Sequence, residues 1–182
     1  MKKTIAMASA IFLFFACTNQ KTEDKAATTD STAAPAKVLP TEIGDAKYVE
    51  IGKAGIANLS SGNIDAWMTN YADNAVYVWN NGDSLAGKPA ITAYWKKRRG
   101  DVIDSINFSH DIWLAVKVNE PQQPEHLPGN WALGWYLTQA KYKTGKRMAQ
   151  WVHTAIHFDA NDKIDRVVQF LDRAPINAAS KK

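Results

Sequence analysis

Apolar residues recur at helical spacing between Asp45 and Ser61, where Tyr48, Ile51, Gly55 and Leu59 form one stripe. Ser61-Gly62 supplies the stop, because glycine tolerates the left-handed cap. Asn63 is placed to cap a second, shorter helix over Ile64–Tyr71, with Trp67 and Tyr71 four apart on one face. A third helix is expected from Gly87, with Pro89 in its first turn and Ile91 and Trp95 facing inward. The period then changes. Ala75–Trp79 reads as a short aromatic strand, and Asn80-Asn81-Gly82-Asp83 as a turn. Ile103–Val118 alternates Ile106, Phe108, His110, Ile112, Leu114 and Val116 against more polar neighbours. Trp131–Tyr142 alternates Trp131, Leu133, Trp135 and Leu137, and Thr144-Gly145 reads as a hairpin turn. Met148–Phe158 pairs back, Ala160-Asn161-Asp162 turns again, and Lys163–Leu171 closes the set. Helices followed by a run of strands predict an α+β domain over residues 41–182.

The first forty residues follow other rules. Lys2 and Lys3 precede an apolar run, Ile5 to Ala16, that is shorter than the about 20 residues a membrane helix needs. It has the length and flanks of a secretory leader, residues 1–16. Cys17, the chain's one cysteine, follows Phe14-Phe15-Ala16 in a sequence that resembles a lipobox. A lone cysteine forms no internal disulfide, and lipidation at Cys17 would anchor the exported chain without a transmembrane helix. Residues 18–40 are rich in Thr, Ala, Lys, Asp and Pro and lack aromatics, so they read as a disordered tether. A formal charge of +4 gives no ground for a nucleic-acid partner. The densest basic run, Lys96-Lys97-Arg98-Arg99, reads as a solvated helix end.

Several words in this order carry a further resemblance. They are Gly62-Asn63-Ile64-Asp65-Ala66-Trp67, Tyr71-Ala72-Asp73-Asn74-Ala75-Val76-Tyr77, Gly87-Lys88-Pro89-Ala90-Ile91, and Phe158-Asp159-Ala160-Asn161-Asp162-Lys163-Ile164 through Phe170-Leu171-Asp172. Together they resemble the nuclear transport factor 2-like superfamily, in its SnoaL-like polyketide cyclase and ketosteroid isomerase branch. The resemblance spans roughly Ala46–Asp172. It implies a curved antiparallel sheet wrapped as a cone around three N-terminal helices, an open end used as a ligand pocket, and a convex face used for homodimers. It does not fix the chemistry. The isomerase branch's catalytic carboxylate falls at Trp79, and its tyrosine and protonated acid at Gly55 and Thr154. The epoxide hydrolase branch's inward carboxylate falls at Gln169. The usual isomerase and epoxide hydrolase routes are therefore not expected.

What remains on the expected inner surface is aromatic and neutral. The ligand-binding candidates are Trp67, Tyr71, Tyr77, Trp79, Trp95, Trp135, Gln139, Thr154 and Gln169, with His110 as the candidate acid or base. Each aromatic residue could equally be core, and His110 could be a structural histidine. Three functions stay open. One is an exported lipoprotein binding a small apolar molecule. Another is a cyclase, isomerase or dehydratase using His110, Tyr77 or Lys141. The last is a dimeric scaffold presenting Tyr136, Tyr142 and Trp151 outward. No cofactor motif is present. His153 and His157, four apart on a strand, do not make a helical metal pair, and no metal is expected. The Pro-rich loop 119–130 reads as either a lid or an insertion.

Overall fold

A computed structural model describes residues 37–123 and 126–181. The predicted leader, Cys17 and residues 18–36 of the predicted tether lie outside the described residues. The elements are β1 (Thr41–Ile43), α1 (Lys47–Ser61), α2 (Ile64–Met68), β2 (Tyr71–Trp79), β3 (Ser84–Ala86), α3 (Lys88–Lys97), a π-helical turn (Arg98–Val102), β4 (Ile103–Val118), β5 (Gly129–Tyr142), β6 (Arg147–Phe158), β7 (Ile164–Phe170) and α4 (Arg173–Ser180). One seven-stranded sheet runs in the order β1-β4-β5-β6-β7-β2-β3. The class is α+β, as the sequence predicts.

Local signals act as read. Gly62 caps α1 at φ 83° with its N–H on the Leu59 carbonyl. The Asn63 side chain accepts the N–H of Ala66 at 3.2 Å and starts α2. Pro89 opens α3, and Ile91 and Trp95 are buried beneath it. Helix α2 ends at Met68, before the expected Tyr71, yet Trp67 and Tyr71 still meet edge to face at 5.5 Å.

The sheet departs from expectation in three ways. First, it is mixed: β2 and β7 run parallel, with Tyr77 opposite Val167 and Trp79 opposite Gln169. Alternation reports which face a residue takes and says nothing of strand direction. Second, β4 carries a bulge. Ser109 pairs with Leu137 and Ile112 with Trp135, so His110 and Asp111 oppose Tyr136 alone. His110 takes φ 54°, a left-handed conformation. The extra residue inverts the strand's parity: Ile106 and Phe108 face inward before the bulge, Trp113 and Ala115 after it, and Ile112 and Leu114 turn outward. Third, β5 has the opposite parity to that predicted. Ala132, Gly134, Tyr136, Thr138, Ala140 and Tyr142 are buried on the inner face, whereas Trp135, Leu137 and Gln139 lie outside.

The cause of this last inversion is steric. Trp113, turned inward by the bulge, lies between α1 and β5. A Cβ added at Gly52 or at Gly134 would come within 2.5 Å of its Cζ3. The inner face of β5 is therefore small where the ring sits, and the larger Leu133 and Trp135 are left outside.

Two buried clusters fill the cone. The larger joins Tyr48, Leu59, Trp67, Tyr71, Tyr77, Trp95 and Ile156. The smaller joins Ile103, Ile106, Tyr142 and Met148 to Ala179 of α4. Helix α4, which the sequence pattern does not announce, is capped by Asp172, whose carboxylate accepts the Ala174 N–H at 2.8 Å. Gln150 brackets the Asp172 backbone with two bonds, 3.1 and 3.0 Å, and Thr144 Oγ1 donates to the Ala179 carbonyl at 2.6 Å.

Candidate functional site

Between the two clusters the cone opens as a cleft of ≈ 110 Å³. The end of α3 contributes Tyr94 and Trp95, and the π-helical turn contributes Arg98. Strand β2 contributes Trp79, and β4 contributes Ile103, Ile106 and Phe108. Thr138, Tyr142, Met148, Gln150, Val152 and Gln169 come from β5, β6 and β7. Helix α4 closes one side with Arg173, Ile176 and Asn177. Among the described residues no Asp, Glu, His or Lys lines the cleft.

Aromatic rings make its floor. Trp79 lies 4.9 Å from Tyr77 and 5.2 Å from Tyr94, and Tyr94 meets Trp95 edge to face at 5.3 Å. Such tilted and edge-on contacts suit the ring quadrupoles. Behind the floor, neutral groups satisfy one another. Trp79 Nε1 donates to Gln169 Oε1 at 3.2 Å, Gln169 Nε2 reaches Thr154 Oγ1 at 3.5 Å, and the Tyr136 and Thr154 hydroxyls bond at 2.7 Å. Three positions where the family resemblance places acids (Trp79, Thr154 and Gln169) thus form one uncharged chain. Burial raises Tyr71 and Tyr77 well above the usual phenol range, and it raises Tyr136 against the opposing pull of its bonds to Thr154 and Gln169. These phenols stay protonated near neutral pH, so they can donate hydrogen bonds but cannot serve as bases there.

Among the described residues, two buried side-chain polar atoms have no partner. Trp95 Nε1 and Thr138 Oγ1 are buried in residues only 6% exposed, and neither is hydrogen-bonded. Most buried polar atoms find a partner, so two orphans on the wall of one cleft call for an explanation.

The predicted site residues divide into three groups. Trp79, Trp95 and Gln169 line the cleft. Trp67, Tyr71, Tyr77 and Thr154 lie deeper, in a narrow seam shared with Trp113 and Tyr136. His110, Trp135 and Gln139 lie on the outer surface and do not line the cleft. His110 is turned out by the bulge and faces Trp151 at 6.5 Å between rings, with its Nδ1 3.1 Å from Ser109 Oγ. Trp135 stacks on His153 at 4.5 Å outside. Lys141 pairs with Asp104 at 2.9 Å. Tyr136 and Tyr142, expected outside, face inward.

Sequence reasoning missed Tyr94, Arg98, Thr138, Tyr142, Gln150 and the residues of α4. The basic run is not one solvated face. Lys96 pairs with Asp65 at 2.6 Å and Lys97 with Asp101 at 2.7 Å, while Arg99 donates to the carbonyls of Leu59, Ser60 and Ile103. Arg98 alone of the four turns to the cleft.

The histidine with the densest bonding is His157, held between Asp165 and the Pro128 carbonyl. It lies under loop 119–130 with Trp131, whose indole donates to the Leu127 carbonyl at 2.9 Å. No described residue of that loop lines the cleft. Among the described residues no three His, Cys, Asp or Glu side chains converge as a metal site, and no helix is long and apolar enough to cross a membrane.

No protein-family model and no curated protein matches the chain. Solved structures do. A protein assigned as a polyketide cyclase from Xanthomonas campestris pv. campestris superposes with a TM-score of 0.58 at 12% identity, over 74% of this chain and 97% of that one. An LEH-like epoxide hydrolase from M. tuberculosis gives 0.56 at 13% identity, over 74% and 89%. A protein from Catenulispora acidiphila with a ketosteroid isomerase-like fold, in complex with trimethylamine, gives 0.53 at 14% identity, over 72% and 92%. At such identities the likeness is one of fold, and it agrees with the resemblance carried by the sequence. The chain has the nuclear transport factor 2-like fold of SnoaL-like cyclases, ketosteroid isomerase-like proteins and LEH-like epoxide hydrolases.

Proposed function

We propose that this protein is exported, anchored by a lipid on Cys17, and binds a small, largely apolar molecule in the cleft at the mouth of its cone. One observation carries the binding reading. The cleft is walled by Trp79, Tyr94, Trp95, Phe108 and aliphatic side chains, and no residue lining it can exchange a proton near neutral pH. Of the proton-transfer candidates for the enzyme reading, His110 faces away from the cleft, Lys141 pairs with Asp104 and Tyr77 lies in the deeper seam. The chain from Trp79 through Gln169 and Thr154 to Tyr136 is uncharged and bonded within itself, so it supports the aromatic floor and brings no proton-transfer group to the cleft.

The test uses N-phenyl-1-naphthylamine, a neutral probe whose fluorescence rises in apolar surroundings. Trp79→Ala should weaken its binding at least tenfold, and His110→Ala should leave it unchanged. Equal effects of the two substitutions, or no saturable binding, would refute the pocket. A substrate whose turnover is lost in His110→Ala while probe binding stays intact would establish an enzyme instead.

A second reading concerns the outer face and accompanies the first. Ile112, Trp135, His153 and Phe170 align in register across four strands, and His153 stacks 5.6 Å from Phe170. Ile112, Leu114, Trp151 and Phe170 are 47–58% exposed. An apolar surface of this kind supports a symmetric homodimer through the sheet's convex face.

A further inference from the structure

Every free polar group on the cleft wall can donate a hydrogen bond. Gln150 is committed to the Asp172 backbone, Gln169 to Trp79 and Thr154, and Arg173 to Asp83 at 2.8 Å while it lies over the Trp79 ring. That leaves Arg98, Trp95 Nε1, Thr138 Oγ1, the phenols of Tyr94 and Tyr142 and the side-chain amide of Asn177. An indole N–H and a guanidinium only donate, and a hydroxyl can turn to donate. Arg98 is half-buried and makes no ion pair among the described residues, although its neighbours Lys96 and Lys97 both do. Its charge faces inward: it holds the Tyr142 phenol down against the upward push of burial, and its influence reaches the buried Tyr77. No acidic side chain shares the cleft with it.

We infer that the ligand is an apolar monocarboxylate, its carboxylate held by Arg98 and its hydrocarbon body lying on Trp79, Tyr94 and Trp95. This rests on the pocket reading and narrows it. A carboxylate is acceptor-only, so it complements a wall whose free groups can all turn a donor toward it. It also supplies the single negative charge that the lone guanidinium lacks. A dianion would leave one charge uncompensated in an apolar cleft, which is costly. Neutral alcohols and amides bring donors of their own and no charge. The planar guanidinium accepts a carboxylate through two parallel bonds, which a lysine could not match.

The experiment compares 2-naphthoate with its neutral isostere 2-naphthamide by titration calorimetry on the full-length chain at low salt. The naphthoate should bind at least tenfold more tightly, about 1.4 kcal/mol. Arg98→Met, which keeps the apolar stem, should reduce naphthoate to about the affinity of the amide for the same variant. Should that variant fail to fold, salt decides on the wild type. Raising NaCl from low to about 0.5 M should weaken naphthoate several-fold and the amide hardly at all. Equal affinities for the two compounds, a preference that survives Arg98→Met, or equal salt responses would overturn the anion while the pocket stands. Absence of naphthoate binding overturns it too, and absence of N-phenyl-1-naphthylamine binding as well brings down the pocket itself.

Discussion

Replacing Thr138 by Val should stabilise the free protein and impair the loaded one. Thr138 sits mid-strand on β5, opposite Phe108 of β4 and Gln150 of β6, and its hydroxyl is buried without a partner. A buried polar group left unsatisfied costs about 1–3 kcal/mol. Valine keeps the branched shape, suits a strand, and exchanges the hydroxyl for a methyl. The cleft edge lies near, so the low end of that range applies, and the gain is about 1 kcal/mol. For a domain of this size that is a rise in Tm of roughly 3–4 °C. Scanning calorimetry at pH 7 measures it, with Thr138→Ser, which keeps the hydroxyl, as the control. The same substitution should weaken 2-naphthoate several-fold, because one donor to the carboxylate is gone. Such opposition between stability and binding marks a group kept for a ligand. A Tm that falls on Thr138→Val would refute the reasoning, since the hydroxyl would then hold a bond in the free protein. Unchanged naphthoate affinity would remove Thr138 from recognition.

The remaining predictions concern the scaffold and its surroundings. Gly134→Ala should destabilise by about 3 kcal/mol in urea titrations, because its Cβ would lie 2.5 Å from Trp113 Cζ3 and Gly52 leaves the ring no retreat; adding Trp113→Leu should recover part of the loss, and no recovery would mean that the clash is not with the ring. Trp151→Asp on the outer face should shift sedimentation at micromolar concentration from dimer to monomer, and a wild type that stays monomeric would dispose of the dimer. Burial lowers the pKa of His153 from its usual 6.5, despite the Gly134 carbonyl that accepts from its Nδ1 at 3.0 Å. The unfolded chain therefore binds this proton at a higher pH than the folded one. The stability is present above about pH 6.5 and is lost as pH falls toward the folded value; His153→Phe should flatten part of that decline between pH 7 and pH 5, and an unaltered melting profile would exclude His153. Cys17→Ser should abolish metabolic labelling by a clickable fatty acid, and equal labelling of both proteins would refute the lipid anchor.

The positions of α1, α2 and α3 were legible because their signals are local. Gly62, Asn63 and Pro89 each act within one turn of the chain, and the stripe through Tyr48, Gly55 and Leu59 needs a core on one side only. The faces of β4 and β5 were not legible. From Trp131 to Leu137 both parities are apolar, so alternation offers no contrast. The bulky set points outward because Trp113 has taken the inner space, and Trp113 is inside because of two residues, His110 and Asp111, that oppose one. Neither fact leaves a mark in composition. Trp79, Thr154 and Gln169 were found through the family resemblance, which locates positions without requiring that their chemistry survive. Arg98 was hidden in a basic run whose members differ only in where a helix end turns them. The π-helical turn at Arg98–Val102 sends Arg99 onto the last carbonyls of α1 and leaves Arg98 toward the cleft.

Helix α4 bears on the order in which the molecule is completed. Synthesis runs from the N-terminus, and the strands and aromatic floor are all made before residue 173. The cleft lacks the wall given by Arg173, Ile176 and Asn177 until α4 follows the strands and Gln150 and Thr144 tie it down. Before that the aromatic floor lies open on one side.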